Sequence, residues 1–196
     1  MIPKIDNVIL EDDVVRLQPL EIKDFEHLLP FALHEPEIWK FSLVAVAGED
    51  TLRTYIETAV KERDAGTEYP FVVFDKRTNR YAGSTRFYDI QLEKGSLQLG
   101  YTWYGKDFQG TGLNRHCKFL LLRYAFETLQ VERVEFRADN NNVKSIAAMK
   151  SIGCTVEGVL RSHMPTNVGG RRDSIILSIL KSEWEQTVKM NLFAKL

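Results

Sequence analysis

The sequence predicts an α+β, or mixed α/β, fold built around one central sheet. The first half of the chain carries β-rich segments joined by turn-forming residues, a pattern typical of antiparallel hairpins. The second half places a strand, a helix and a strand in succession and then adds a further hairpin. With 196 residues the chain is long enough to bury a sizeable core. Since no repeat or linker interrupts it, we expect one domain over residues 1–196.

Strands are predicted where β-branched and aromatic residues cluster between turn signals. Seven segments satisfy this pattern, and they are residues 14–20, 69–74, 81–90, 97–104, 131–138, 155–161 and 174–180. Residues 75–79 form the expected turn between the second and third segments, and residues 93–96 the turn between the third and fourth. A long loop, residues 162–172, is expected before the last strand.

Helices are predicted over residues 22–33, 50–64, 113–129 and 142–152, with a final one starting near Ser182. Asp50 is a suitable N-cap for the second helix, and Ser182 and Glu185 have the spacing of a capping box. The third helix is apolar on nearly every face, which predicts that it is buried.

Composition and charge exclude several classes of function. The net charge of −1 gives no overall sign of a nucleic-acid or anionic-membrane binder. No apolar stretch approaches 18 residues, so we expect no membrane span, and the first residues lack the pattern of a signal peptide. Two cysteines, Cys117 and Cys154, fit a reduced cytoplasmic protein. No cluster of His and Cys has metal-ligand spacing, so no metal is expected.

The segment with the clearest chemistry is the glycine-rich turn that opens the third helix. Such a turn leaves several backbone N–H groups unpaired, and the helix dipole adds about half a positive charge there. This arrangement binds phosphate without a cationic side chain. We therefore predict anion contacts from Gln109, Gly110, Thr111, Gly112, Leu113 and Asn114.

Three kinds of phosphate site were compared with this turn. The GK[ST] ending of a P-loop is absent. A dinucleotide-binding turn would need a third glycine where Arg115 stands, and its glycines would follow the strand directly rather than five residues later. The turn also resembles the Q/R-x-x-G-x-G/A element of the GNAT superfamily of acyl-CoA N-acyltransferases. Gln109, Gly112 and Asn114 fall on its fixed places, although Asn114 departs from the usual Gly or Ala.

Later segments extend this resemblance in the right order along the chain. Asn142 and Ser145, followed by residues 149–153, resemble the N-x-x-S helix and lysine-x-x-glycine turn of that superfamily. Further segments resemble the RimJ/RimL-like branch of the superfamily, and they are residues 15–20 with Asp24, 157–161, 170–173 and 183–184. That branch includes ribosomal-protein N-terminal acetyltransferases and many small-molecule acetyltransferases. The resemblance covers roughly residues 10–186.

The resemblance implies a fold and a set of roles. The fold would be a mostly antiparallel, twisted sheet of about seven strands, split between the fourth and fifth, flanked by helices. Acetyl-CoA would lie in the split, with its pantetheine arm against the backbone of Trp103 and Tyr104 and its pyrophosphate on the glycine turn. Asn142 would bond the arm, Ser145 would protonate the leaving thiolate, and Lys150, with Lys144, would contact nucleotide phosphates. Transfer would be direct, so Cys154 would be structural.

Two departures from the branch leave the base unassigned. Many relatives have a tyrosine, which acts as the acid, where Met149 stands, and a glutamate where Gln98 stands. Met149 cannot donate a proton, and the amide of Gln98 cannot act as a base. Asp89, Glu135 and Asp173 are other carboxylates within plausible reach. A site without a strong base suits an amine of low pKa, such as a peptide N-terminal α-amine. A small-molecule amine, from a metabolite or an antibiotic, and a catalytically silent acyl-CoA-binding module are the alternatives.

The remaining polar residues allow two interpretations each. Arg161, Arg171 and Arg172 form a local positive group that either is solvated or contacts an acidic substrate or partner. His163, in the loop over residues 162–172, is either a solvated histidine or a substrate contact. The branch often dimerises, so a homodimer is possible.

Overall fold

The computed structural model describes residues 7–167 and 169–196. Within them, eight strands form one sheet in the order β1-β2-β3-β4-β5-β6-β8-β7. The strands are β1 (Leu10–Glu11), β2 (Val15–Pro19), β3 (Tyr69–Asp75), β4 (Arg80–Gln91), β5 (Ser96–Tyr104), β6 (Arg133–Asp139), β7 (Thr155–Pro165) and β8 (Arg171–Leu180). Neighbours are antiparallel except β5 and β6, which run parallel. The predicted fold class is confirmed, with the two-residue β1 as an addition.

Helices flank the sheet at the predicted places. They are α1 (Phe25–His34), α2 (Glu49–Asp64), α3 (Leu113–Arg123), α4 (Val143–Ser151), α5 (Lys181–Glu183) and α6 (Lys189–Phe193). The π-helical turn Tyr124–Thr128 prolongs α3, and Trp184–Val188 joins α5 to α6. Of these helices, in the part of the chain that the structure describes, none is long and apolar enough to cross a membrane.

The helices form two layers around the sheet. On one face, Trp103 of β5 donates a hydrogen bond from Nε1 to the Tyr55 hydroxyl of α2, at 3.3 Å, and its ring packs edge-on against Phe31 of α1. Successive side chains of a strand point to opposite faces. The next residue, Tyr104, accordingly donates to Asn114 Oδ1 in α3, on the other face. The buried α3 predicted from its apolar composition is confirmed.

The sheet opens between its two parallel strands. β5 and β6 pair only through Ser96 to Gln98 against Arg133 to Glu135. Beyond that point the two strands have no ladder contacts, although β6 continues to Asp139 and β5 to Tyr104. The split predicted between the fourth and fifth strands is therefore confirmed, and it lies between β5 and β6 in the present numbering.

Two predicted helix caps are wrong. α2 begins at Glu49 with Gly48 as its N-cap, so Asp50 lies in the first turn. The final helix begins at Lys181, and the Glu183 carboxylate accepts a hydrogen bond from the Leu180 N–H at 2.8 Å. Acidic residues are favourable both as caps and in the first turn, so composition alone could not fix these starts.

The predicted long loop over residues 162–172 is also wrong at both ends. β7 continues through Pro165, and β8 already begins at Arg171. The pairing of the two strands shifts register between Leu160 and Met164, and Ser162 has a φ of +50°. A bulge of this kind interrupts the alternation of side chains, which removed the sequence signal of a continuing strand.

Candidate active site

The glycine-rich turn presents unpaired backbone donors at the start of α3. Gly110 and Gly112 have φ values of +76° and +87°, and Gly112 is the N-cap of α3. These are left-handed conformations that side chains disfavour, which explains why glycine stands at both positions. Among the described residues, no hydrogen bond is made by the N–H groups of Gly110, Thr111, Gly112 and Asn114. Four free donors at a helix start are suited to an anion.

Two other members of the turn use their amides locally. The Gln109 N–H donates to the carbonyl of Lys106 at 3.1 Å, and the Leu113 N–H approaches Thr111 Oγ1 at 3.4 Å. The Gln109 side chain donates to the Tyr104 carbonyl at 2.9 Å and so ties the turn to the end of β5. Direct anion contact by Gln109 and Leu113 stays a prediction.

Arg77, in the turn predicted over residues 75–79, supports the glycine turn from the β3–β4 hairpin. Its Nη1 donates to the Thr111 carbonyl at 3.1 Å, and its Nη2 pairs with Asp75 at 2.7 Å. The Asp75 side chain is 1% exposed. Burial raises the pKa of Asp75, but the hydrogen bonds from Arg77 outweigh it and hold this pKa below its ordinary value. The pair therefore places a fixed cation beside the turn.

Asn114 has a structural reason to differ from the usual Gly or Ala. Its Oδ1 accepts the hydroxyl of Tyr104 at 3.2 Å. Tyr104 is buried, and burial raises its pKa well above the ordinary value. A buried hydroxyl needs a hydrogen-bond partner, and the Asn114 side chain supplies it while leaving its own backbone N–H free.

The β5 backbone carries a bulge where it borders the split. Ser84 pairs with Trp103 and Arg86 with Gly100, so Thr85 faces two residues of β5. Tyr101, at the bulge, has a φ of +48°, an uncommon conformation for an aromatic residue. Bulges re-aim backbone groups and often lie beside active sites. Beyond Gln98, the edge of β5 that faces β6 has no strand partner among the described residues. This is the edge predicted to meet the pantetheine arm, and that role stays a prediction.

Asn142 and Ser145 lie together at the start of α4. Asn142 Oδ1 accepts the Ser145 N–H at 3.1 Å and caps the helix. Among the described residues, Asn142 Nδ2 and Ser145 Oγ make no hydrogen bond. Met149, one helical turn after Ser145, is buried. Two polar groups therefore remain available to a ligand after the cap has formed.

The lysines predicted to contact nucleotide phosphates are exposed. Lys144 and Lys150 lie on α4, and in the residues that the structure describes neither forms an ion pair. Their predicted contacts remain untested predictions.

Asp89 is the carboxylate that the structure connects to Gln98. Gln98 is 6% exposed, and its Nε2 donates to Asp89 Oδ2 at 2.7 Å. Glu135 is instead held by two arginines, and Asp173 accepts the Ser162 N–H at 2.7 Å. Gln98 Oε1 is buried and has no hydrogen-bond partner among the described residues. Of the three candidate bases, Asp89 alone is bonded to the residue that occupies the usual base position.

The two cysteines are buried, and His163 has a hydrogen-bond partner. Cys117 and Cys154 are free and buried, and burial raises the pKa of each thiol to about 12. His163 lies in β7 rather than in a loop, with Nδ1 3.0 Å from Ser174 Oγ. No group of three or more His, Cys, Asp and Glu side chains in the described ranges could hold a metal ion.

Comparison with known proteins gives a consistent picture. The family described as "Acetyltransferase (GNAT) domain" matches residues 15–155. A Bacillus subtilis (strain 168) protein provisionally named as a ribosomal N-acetyltransferase, YdaF, is 27% identical over 176 residues, which cover 87% of this chain and 93% of that protein.

Solved structures agree with this match. A GCN5-related N-acetyltransferase from Brucella melitensis has a TM-score of 0.90 and 26% identity, covering 98% of this chain and 86% of its own. The RimL ribosomal L7/L12 alpha-N-protein acetyltransferase, solved with coenzyme A, has a TM-score of 0.77 and 19% identity, covering 90% and 99%. At that identity the RimL likeness shows the fold alone.

Proposed function

Because the chain belongs to the GNAT acetyltransferase family and is an acetyl-CoA-dependent N-acetyltransferase, we propose that it acetylates the N-terminal α-amine of a protein or peptide. The provisional name of the relative YdaF supports placing it in the RimJ/RimL-like branch. The observation that carries this choice of acceptor is the pair Gln98 and Met149. Many relatives have a glutamate base and a tyrosine acid at these two positions, whereas this chain has an amide and a thioether. Without a strong base, an ammonium group of high pKa is difficult to deprotonate.

The cost of deprotonating the acceptor favours an α-amine. A lysine ε-amine with a pKa of ~10.4 costs roughly 4.6 kcal/mol to deprotonate at pH 7, whereas an α-amine with a pKa of about 7.7–8.0 costs only ~1–1.4 kcal/mol. Asp89, bonded to Gln98, is the base we propose for this smaller task. The provisional name of the relative YdaF also points to a ribosomal protein as acceptor.

The chain's own groups have these roles in the proposal. The free N–H groups of Gly110, Thr111, Gly112 and Asn114 hold the pyrophosphate of acetyl-CoA. The unpaired edge of β5, near Trp103 and Tyr104, bonds the pantetheine arm as a further strand would. Their side chains are engaged in packing, so only the backbone of these two residues takes part.

The acetyl transfer itself is proposed to be direct. The neutral amine attacks the thioester carbonyl, and a backbone N–H of β5 stabilises the oxyanion, a contribution of about 3 kcal/mol in comparable sites. As the C–S bond breaks, Ser145 donates its hydroxyl proton to the leaving thiolate and regains a proton from solvent, to which the acetylated nitrogen loses its own. Asn142 places the arm beside Ser145. Lys150 is proposed as a nucleotide phosphate contact.

A thiol-release assay tests the proposal. The protein is mixed with acetyl-CoA and a panel of amines, and free CoA is followed with a thiol reagent. Peptides with a free N-terminus should release thiol, whereas the same peptides with a blocked N-terminus and an internal lysine should not. Faster release with small-molecule amines than with any peptide would instead support the alternative acceptor class. Tight CoA binding without turnover would contradict the enzyme assignment.

We also propose that the protein is a cytoplasmic homodimer. Two free, buried cysteines fit a reducing compartment. Among the described residues, the strand β7 lies at the end of the sheet, pairs only with β8 and exposes Val156, Val159 and Leu160. An exposed apolar edge strand is a template for pairing with another chain, and a second copy of β7 is the partner that symmetry offers.

A further inference from the structure

Arg172 of β8 is a buried cation without an ion-pair partner. It is 9% exposed, and no carboxylate of the described residues lies within ion-pair distance of it. Its Nε donates to Ser174 Oγ at 3.1 Å, and its Nη1 lies 3.5 Å from the Phe41 carbonyl. Its Nη2 has no hydrogen bond among the described residues. The solvated interpretation of this arginine is therefore wrong.

The surrounding charges do not neutralise Arg172. The titratable groups that act on it are Asp139, Tyr88, Tyr101 and Arg137. Asp139 is buried, and its Oδ1 accepts the N–H of Asn141 at 2.8 Å. Burial lowers the pKa of Arg172 despite this carboxylate, which reflects the cost of its buried charge.

Neighbouring carboxylates are already paired with other arginines. Glu135 lies 2.6 Å from Arg137 and 2.9 Å from Arg133. Glu68 pairs with Arg86 at 2.5 Å. Arg172 is thus the cation of this group, among the described residues, that is left for a ligand.

Two phenols add unpaired donors beside Arg172. The rings of Tyr88 and Tyr101 meet edge to face with centroids 5.1 Å apart. Neither hydroxyl makes a hydrogen bond in the described part of the chain. Burial raises the pKa of both, so both hydroxyls carry their proton at neutral pH. Tyr88 and Tyr101 are half-buried, so their hydroxyls are accessible and free to donate to a ligand.

Tyr101 lies on β5, which borders the split in the sheet, whereas Tyr88 and Arg172 lie on the next strands outward, β4 and β8. Tyr101 lies at the bulge in the unpaired part of β5, and Tyr88 contacts the neighbouring residue, Gly100, closely. In β8, Arg172 lies two residues before Ser174, which pairs with Asp139 at the end of β6. Since the proposed function puts acetyl-CoA in the split, the three residues are candidates for contact with the acceptor.

We propose that Arg172, with the hydroxyls of Tyr88 and Tyr101, binds a carboxylate of the acceptor, so that the preferred acceptors are peptides with Asp or Glu in their first two or three residues. A guanidinium offers a planar fork that matches a carboxylate in two parallel hydrogen bonds. The inference rests on the proposed function and narrows its acceptor class.

Matched peptides test the inference. Two C-terminally amidated peptides begin Ser-Asp and Ser-Asn and are otherwise identical, so they differ in one carboxylate. We expect the kcat/KM for the Ser-Asp peptide to be about 10- to 100-fold higher, the size of a charge-assisted hydrogen bond. Arg172→Gln should bring this ratio close to one, and Tyr88→Phe should reduce it several-fold.

The control is Arg171→Gln, which removes the same charge from the adjacent, exposed position. Arg171 bonds the Ser162 carbonyl at 2.8 Å instead, so the ratio should stay at the wild-type value. Thermal unfolding shows whether each variant is folded, and Tyr88→Phe, which keeps the ring, retains the readout if Arg172→Gln unfolds.

The outcomes separate this inference from the proposed function. Equal kcat/KM for the two peptides, with turnover, overturns the carboxylate site and leaves the N-acetyltransferase function in place. A carboxylate preference found only when free aspartate is compared with its amide overturns the assignment to peptides. No thiol release with any amine overturns the proposed function itself.

Discussion

Ser145 is the residue on which the proposed chemistry depends most directly. Its N–H is used by the Asn142 cap, but its hydroxyl has no hydrogen bond among the described residues. It stands on α4, one helical turn before Met149, and the Met149 side chain cannot donate a proton. The hydroxyl therefore remains free to act as an acid.

Replacing Ser145 by alanine should lower kcat by roughly 10²-fold, the lower range for general acid catalysis. The affinity for CoA should change little, since the Asn142 cap uses the backbone of this residue. Steady-state kinetics with a saturating peptide measure the effect. The control is Ser151→Ala on the same helix, whose hydroxyl bonds the Ala148 carbonyl. A kcat within twofold of wild type for Ser145→Ala would remove Ser145 from the acid role.

At the scale of elements, the start of α3 depends on a distant hairpin. Arg77 reaches the Thr111 carbonyl across 34 positions of sequence and keeps Asp75 paired. The glycines give the turn its shape, whereas this arginine fixes its position. Local sequence predicted the turn and not its support.

Substituting Arg77 by glutamine should raise the KM for acetyl-CoA several-fold, with a smaller change in kcat. The free energy of unfolding should fall by about 1–2 kcal/mol, because Asp75 stays buried without its cation. The pKa of Asp75 is lowered in the fold, so its stabilisation exists at neutral pH and is lost as the carboxylate protonates. The difference in unfolding free energy between wild type and Arg77→Gln should therefore shrink in acid. Urea unfolding at two pH values measures it.

The matched control is Lys76→Gln in the same hairpin. Lys76 donates to the Asp12 carbonyl at 2.7 Å, and in the described part of the chain it forms no hydrogen bond with the glycine turn. If both variants change the KM for acetyl-CoA equally, the effect comes from loss of hairpin charge, and the support that we assign to Arg77 is incorrect.

The contact between α3 and the sheet includes a buried lysine. Lys118 is 5% exposed, and its Nζ donates to Thr102 Oγ1 at 2.7 Å and to Thr85 Oγ1 at 3.2 Å. No carboxylate of the described residues pairs with it. Burial lowers the pKa of Lys118 to about 8, which means that its charged form destabilises the fold.

Replacing Lys118 by methionine should therefore stabilise the protein at pH 7, by up to about 3 kcal/mol for a pKa that falls from ~10.4 in the unfolded chain. Between pH 8 and roughly 10.4 the unfolded chain binds more protons than the folded chain, so wild-type stability rises with pH. The stability gain of Lys118→Met over wild type therefore disappears over this range. Urea unfolding at pH 7 and pH 10 measures both values. The exposed Lys144→Met is the control, and a Lys118→Met gain that is equal at both pH values would contradict this account.

At the scale of the whole molecule, the sheet ends in an exposed strand. β7 has one paired edge, and three of its apolar side chains are exposed. Exposed edges of this kind are a liability unless they are covered. A second copy of the chain, paired through β7, would cover this one.

Sedimentation should show a particle of twice the chain mass at micromolar concentration. Val159→Lys should shift it to the monomer, because a charge at the centre of a β7–β7 contact would be buried against its symmetry mate. Met190→Lys, at an exposed position of α6, is the control and should leave the dimer intact. A wild-type protein that sediments as a monomer at 100-fold higher concentration would contradict the proposed interface.

The order of elements could be predicted because it rests on local patterns. Alternation and turn residues located the β3–β4 hairpin, and the apolar composition of α3 predicted its burial. The errors fell where two local solutions have similar energies, as at Asp50 and Glu185, or where a bulge broke the alternation, as at Ser162. In each case the deciding contact came from backbone pairing or from another element.

The sequence by itself determined the fold class, the split sheet through its family resemblance, and the glycine turn at the start of α3, because these depend on residue types at fixed short spacings. Only the tertiary structure decided which polar side chains are buried. Arg172, Lys118 and Gln98 are residue types that are mostly exposed, so residue type gave no sign that these three are buried. Their burial follows from strands and helices far apart in the chain that pack together, and with it came the candidate acceptor site.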